Sequence, residues 1–158
     1  MKTLLRPAIS ADASSVADIL IETRSVFMSY APSAHSETEV RNWVRERLIP
    51  ASSVTVAEHE REVVGLVAVS HDGEHNWIDQ MYVAPLQVSQ GIGSALLAHV
   101  LSLASPTIRL YTFQQNVGAR RFYERHGFQA VQFTDGQANE ERCPDVLYQR
   151  SAAPRTAG

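Results

Sequence analysis

Two short segments of this chain hold residue types and spacings with chemical capacity. In the first, Gly91-Ile92-Gly93 stands between an apolar run ending at Val83 and a helical run that begins at about Gly93. Glycines let a backbone approach a ligand closely. The first N–H groups of a helix lack partners within it, and the helix dipole favours an anion there. A phosphate-bearing ligand is the natural guest. A nucleotide-hydrolase loop needs a lysine and a hydroxyl residue after its last glycine, and Ser94-Ala95 follow here. The dinucleotide fingerprint needs a small residue where Leu96 stands. A plain helix entry that binds nothing accounts for two glycines alone equally well.

The second segment is Asn116-Val-Gly-Ala-Arg-Arg-Phe-Tyr-Glu-Arg-His-Gly-Phe128. On a helix, Asn116, Ala119 and Tyr123 share one face. Ala119 leaves room beside the helix, and Asn116 can hydrogen-bond an amide-rich ligand. Tyr123 offers a phenol of pKa about 10 that can protonate a leaving thiolate. Phe122 reads as a core aromatic.

Other chemistry is thin. Cys143 is the single cysteine of 158 residues, so no intramolecular disulfide forms. Its polar, Pro-flanked setting has no histidine beside it in sequence, which argues against a nucleophile. His71 and His75 flank Asp72-Gly73-Glu74, a hairpin turn on which their side chains do not converge. The six histidines form no ligand motif, and no metal is expected. The formal charge of −3 is wrong for a nucleic-acid partner. Arg41/Arg45/Arg47 and Arg120/Arg121/Arg125 read as solvated helix faces. No apolar run approaches the ~20 residues of a membrane span. Arg6-Pro7 interrupts any signal-peptide core, and the expected location is the cytoplasm.

The elements that must position these groups follow from periodicity. Leu4–Ala8 reads as an edge strand because Pro7 cannot donate to a ladder. Ser10 or Asp12 can cap a helix carrying Val16, Ile19, Leu20, Thr23 and Phe27. Ser36-Glu37-Thr38-Glu39 is a capping box, with the stripe Val40, Trp43, Val44 and Leu48 behind it and Pro50 at its end. Strands 54–57 and 63–69 flank His59-Glu60-Arg61, and Asp72-Gly73 turns into a third strand, 77–83. A helix from Gly93, a strand 108–113, a helix from Val117 capped at Gly127, and strands 128–133 and 145–148 complete the order. The result is a mixed α/β sheet of about seven strands and four helices. Residues 1–150 form one domain, and 151–158 read as a disordered tail.

With both segments in place, the chain resembles the GCN5-related N-acetyltransferase (GNAT) superfamily. Val83-Ala-Pro followed by Gly91-Ile92-Gly93 is similar to its acyl-CoA pyrophosphate loop. Asn116, Ala119, Phe122-Tyr123 and Gly127-Phe128 are similar to its later helix and strand. Leu5-Arg6-Pro7-Ala8 with Asp12 is similar to its start. The resemblance implies a sheet that splays beside Met81–Val83 and an acetyl-CoA cofactor. Met81 and Val83 would bond the pantetheine through their backbones. Amides of Val88, Ser89, Gln90, Gly91, Ile92, Gly93 and Ser94 would hold the pyrophosphate. Asn116, Ala119 and Tyr123 would lie along the pantetheine arm and the sulfur, with Tyr123 as general acid. Met81 or Tyr82 would supply a backbone N–H for the oxyanion.

Two departures matter. Val88 stands where the family usually has arginine or glutamine. Trp77 stands at one common place of a general-base glutamate, which leaves Asp79, two residues on and assigned to the same strand face, as the nearest carboxylate. The resemblance implies that the first helical pair overhangs the acceptor, which brings in Phe27, Tyr30, His35 and Trp43, with Trp77 and Asp79 as further acceptor-side candidates. Asp135, Glu140, Glu141 and Asp145 between or on the last strands suit a cationic amine, although Glu141 reads best as solvated loop charge. The implied activity is direct acetyl transfer to a primary amine of a small molecule or peptide. The alternatives are a protein N-terminal or lysine acetyltransferase and a non-catalytic acyl-CoA sensor. Family members often pair as homodimers, and no interface is visible in the sequence.

Overall fold

The computed structural model describes residues 3–31, 33–51, 53–88, 90–103 and 107–151. Seven strands form one sheet: β1 (Leu4–Pro7), β2 (Val54–His59), β3 (Glu62–His71), β4 (Asn76–Val83), β5 (Thr107–Phe113), β6 (Gln129–Phe133) and β7 (Asp145–Ser151). Their spatial order is β1-β2-β3-β4-β5-β7-β6. Four helices cover it: α1 (Ala13–Phe27), α2 (Glu37–Trp43), α3 (Ile92–Leu103) and α4 (Val117–Arg125). This is the mixed sheet and helix count expected from the sequence. The expected tail largely lies outside the described residues, while Ser151 itself still belongs to β7.

Local chemistry explains the helix ends. Ser36 Oγ accepts from Glu39 N at 3.1 Å, and Glu39 Oε1 accepts from Ser36 N at 2.9 Å. This reciprocal cap starts α2, which then widens into a π turn over Val44–Leu48. Asp12 precedes α1 but does not cap it with its side chain. Its carboxylate turns back instead, accepting from Ile9 N at 2.8 Å and from both terminal nitrogens of Arg6 at 2.8 and 3.0 Å. The buried Asp12 is held below the usual carboxylate range chiefly by Arg6. The pair fastens β1 to the entry of α1.

Each strand of the sheet centre feeds two cores. Leu66 and Ala68 of β3 pack with Val16, Leu20, Val44 and Leu48 beneath α1 and the π turn. Val67 packs on the other face with Leu96, Leu97 and Val100 of α3 and with Tyr123, Phe128 and Tyr148. At Gly65 the sheet admits α3 closely. A Cβ there would lie 3.1 Å from Tyr82 O and 3.2 Å from Ile92 and Leu96 side-chain atoms. A larger residue would push α3, and the turn that precedes it, away from the sheet.

The sheet divides in its middle. β4 and β5 run parallel and pair only at Asn76↔Ile108 and Trp77↔Arg109. Beyond Trp77 the strands part, and β5 turns its other edge to β7 over its whole length. The implied splay beside Met81–Val83 is therefore present, and it opens the space that the next section describes.

Candidate active site

The splay forms part of a cleft of about 1040 Å³. Its floor is the diverging part of β4 and β5. One wall is the start of α3 and the face of α4; the other is the last turn of α1 and the loop between β6 and β7.

The edge of β4 toward this gap can be assigned from its ladder with β3. Ala84 N donates to Val64 O at 2.8 Å, so Ala84 faces β3. Alternate residues of a strand direct their backbone groups to the same side. Tyr82 therefore bonds toward β3, while Met81 and Val83 turn their N–H and C=O groups to the gap. Between Met81 and Tyr82, the sequence had left the oxyanion amide open. Met81 is the one whose amide faces the cleft.

At one end of the cleft lie Val88, Gly91, Gly93 and Ser94. Gly91 has φ of +82° and no heavy atom within 4 Å of the position a Cβ would take, so the turn faces open space. Ser94 is oriented by His126. Nδ1 of His126 donates to Phe122 O at 2.8 Å, and its Nε2 lies 3.3 Å from Ser94 Oγ. The side chain of Ile92, at the first position of α3, is buried in the core and does not line the cleft. Gln90 does not line the cleft. Ser89 lies outside the described residues.

Asn116, Ala119 and Tyr123 line the cleft together, as their shared helix face requires. Asn116 Oδ1 accepts from Ala119 N at 3.2 Å, so this oxygen serves as the helix cap. Tyr123 is 7% exposed and packs its ring edge-on to Phe128. Burial, with a smaller contribution from Tyr82, pushes its phenol well above the usual tyrosine range. It therefore remains a proton donor at any physiological pH.

Asp79 lies in the cleft through a register change. Ala68 pairs with Gln80 and Val69 pairs with Ile78, so Asp79 is an extra residue on β4. The bulge breaks the alternation that had assigned Asp79 and Trp77 to one face. Asp79 lines the cleft and Trp77 does not. Desolvation raises the Asp79 carboxyl above its ordinary range, against a hydrogen bond to Ser70 that lowers it. Trp77 is occupied elsewhere. Its Nε1 donates to Asp72 at 2.8 Å and its ring stacks on Tyr111 with centroids 5.8 Å apart.

The other end of the cleft contains a pair that the sequence did not disclose. Arg24, in the last turn of α1, donates through Nη2 to Glu141 Oε2, 117 residues away. Their side chains are 25% and 12% exposed, so Glu141 is not the solvated loop charge expected of it. The loop that carries it is braced by Asn139, whose Nδ2 donates to Cys143 O at 2.7 Å and to Asp145 Oδ2 at 3.1 Å. Thr134 Oγ1 donates to the other oxygen of Asp145. Asp145 also lines the cleft, with both of its oxygens engaged by these loop partners. Glu140 points away to His35 Nε2 at 3.0 Å. Asp135 accepts from Gln137 N at 3.0 Å within the loop.

Phe27 lines the cleft, whereas Tyr30 does not. Tyr30 packs edge-on against Phe113 with centroids 6.1 Å apart. Cys143 is buried and its thiol is pushed up by burial and by Glu141 and Asp145, the wrong direction for a thiolate nucleophile. Arg125, read as part of a solvated face, also lines the cleft. Among the described residues, no group of three His, Cys, Asp or Glu side chains is placed to hold a metal ion. Among the same residues no helix is long and apolar enough to cross a membrane.

Comparison with known proteins agrees with this geometry. The chain is 32% identical over 88 residues to peptidyl-lysine N-acetyltransferase YiaC of Escherichia coli, covering 56% of this chain and 58% of that one. It is 34% identical over 100 residues to peptidyl-lysine N-acetyltransferase YjaB of Escherichia coli, covering 63% and 64%. These matches therefore span about three fifths of the relatives' length. In fold, the solution structure of apo-form YjaB superposes with a TM-score of 0.76 at 22% identity, covering 97% of this chain and all of that one. The PaiA N-acetyltransferase of Thermoplasma acidophilum, solved with coenzyme A, superposes with a TM-score of 0.74 at 18% identity, covering 96% and 99%. The model of the family described as the acetyltransferase (GNAT) family matches residues 19–128. That stretch takes in the splayed strand, the glycine turn and the later helix, and the chain belongs to this family.

Proposed function

We propose that the chain transfers an acetyl group from acetyl-CoA directly to a primary amine carried by a peptide or a small molecule. The observation that carries this reading is the continuity of the cleft. One space runs from the open glycine turn, along the unpaired edge of β4, past Tyr123 and Asp79, to Arg24 and Glu141. A long cofactor and a separate acceptor can enter it from opposite ends.

The residues present fit the coenzyme. The glycine turn opens onto space at the start of a 12-residue helix, where amides lack helical partners and suit a diphosphate. The gap-facing amides of Met81 and Val83 suit an amide-bearing arm laid along the strand. Acetyl-CoA supplies the activated acetyl group as a thioester. Asp79, directly or through water, takes a proton from the attacking amine, and its raised pKa brings it closer to that task. The Met81 N–H stabilises the charge that develops on the carbonyl oxygen. The Tyr123 phenol gives its proton to the departing sulfur. Burial pushes the Cys143 thiol away from ionisation, which disfavours it as a competing nucleophile.

A peptide-borne amine is supported by the names of both Escherichia coli relatives, which are peptidyl-lysine N-acetyltransferases. The test is thiol release from acetyl-CoA in the presence of lysine peptides, peptides with free N-termini and simple amines. Release that depends on the amine is expected. Coenzyme binding without release on any amine class would replace the transferase reading with that of a sensor.

A further inference from the structure

The glycine turn rests on a histidine that the transfer chemistry does not use. His126 stands at the C-terminal cap of α4. Its Nδ1 donates to Phe122 O at 2.8 Å, which aims Nε2 at Ser94 Oγ, 3.3 Å away. Its ring also packs on that of Phe122, with centroids 4.5 Å apart. Phe122 in turn lies over Gly93, where a Cβ would be 3.4 Å from its Cζ. Gly93 and Ser94 line the cleft, whereas His126 does not. The imidazole therefore stands behind the turn and reaches the cleft through one hydroxyl.

A ring held this way has a single nitrogen free to change state. Nδ1 faces a carbonyl and can only donate. Nε2 accepts from Ser94 when the ring is neutral and donates to Ser94 when it is charged. In the charged form the Ser94 O–H is released from His126 and can turn to a guest. The charges around the ring come from three elements. The C-terminus of α4 favours a cation at His126. The N-terminus of α3 disfavours one, as do Arg125 next in sequence and Arg150 of β7, whose Nε donates to His126 O at 3.0 Å. The Glu124 carboxylate is engaged by the Tyr148 hydroxyl at 2.7 Å. Among the described residues, the histidine–carboxylate pairs belong to His35 and His75. An anion at the turn is thus the missing charge that would favour the imidazolium. We propose that His126 is a positioning residue of the diphosphate site, taking up a proton as the coenzyme binds and turning the Ser94 hydroxyl onto a diphosphate oxygen. This inference rests on the coenzyme placement in the transferase reading and adds a coupling between donor binding and pH.

Calorimetry in buffers of differing ionisation enthalpy measures the protons taken up with 3′-dephospho-coenzyme A, which lacks the phosphate monoester that itself titrates near neutrality. About half a proton per ligand is expected at pH 7, and Kd should rise about fivefold or more between pH 6 and pH 8. His126→Gln keeps a neutral donor near Ser94 and cannot titrate, so its uptake should fall close to zero and its Kd should be flat with pH. Ser94→Ala keeps the imidazole and removes the relay, and it should lose most of the pH dependence. Ring-nitrogen spectra of the ¹⁵N-labelled wild type need no variant, and they should show Nε2 of His126 gaining a proton on saturation at pH 7. Equal uptake in wild type and His126→Gln, a pH dependence untouched in Ser94→Ala, or a His126 ring unchanged on saturation would overturn the proposal and leave the coenzyme site intact. A folded protein that binds neither coenzyme A nor its dephospho form would overturn both.

Discussion

The two ends of the cleft are built in different ways. The coenzyme end is made from stretches local in sequence: the glycine turn with the start of α3, and one face of α4. On the proposed reading it would work largely through backbone groups, with Tyr123 as its main side-chain contribution. The proposed acceptor end joins the last turn of α1 to a loop 117 residues later, and it would work through side chains. A backbone site would tolerate substitution at many positions, such as Val88 in place of the family's usual arginine or glutamine. A side-chain site across distant elements can be retuned by single changes. One scaffold can thereby keep its donor and vary its acceptor.

Substitutions at each end should separate these two designs. The largest effect is expected for Tyr123→Phe, which should lower kcat about 10²-fold or more while the acetyl-CoA KM stays near wild type. A loss confined to KM would assign Tyr123 to binding alone. Asp79→Asn should lower kcat/KM by about 10²-fold. In the wild type the rate should rise with pH as Asp79 ionises, on a limb above the ordinary aspartate value, because its carboxyl is raised. The limb should be absent from Asp79→Asn, and an unchanged profile would remove Asp79 from the base role. Gly91→Val forces a β-branched residue to φ of +82°. A strain cost of roughly 1–2 kcal/mol predicts about tenfold weaker coenzyme A binding in a titration, with the amine preference retained.

Asp12→Asn serves as the control remote from both ends. It should cost about 2 kcal/mol in denaturant unfolding by breaking the buried bonds to Arg6, and leave the pattern of acceptor preference as it was. The Asp12 pKa is lowered on folding, so its stabilisation is full above the unfolded value of about 3.9. That stabilisation is lost as pH falls through the depressed folded value. Equal acid sensitivity in wild type and Asp12→Asn would contradict this assignment.

The contrast also explains what the sequence disclosed. The Ser36–Glu39 box was legible because its four residues are contiguous, and both of its bonds are present. The glycine turn and the Asn116/Ala119/Tyr123 face were legible for the same reason. The bulge at Asp79 was not, because strand alternation is a rule about regular ladders and the extra residue is set by pairing with β3. Arg24 carries no signal in the sequence beyond that of a cation near the C-terminus of α1, and Glu141 reads there as an ordinary loop acid. Only the fold makes them partners. Asp12 announced a helix entry, but its carboxylate took the nearer guanidinium over the helix amides.

The most direct test is a backbone amide spectrum of the ¹⁵N-labelled protein, recorded as coenzyme A is added. The signals of Met81, Val83 and Gly91 through Ser94 should move together and saturate at one ligand per chain, while those of the exposed β6 stay in place. Saturable binding that leaves these amides unmoved and shifts another region would contradict the placement of the donor in the splayed sheet.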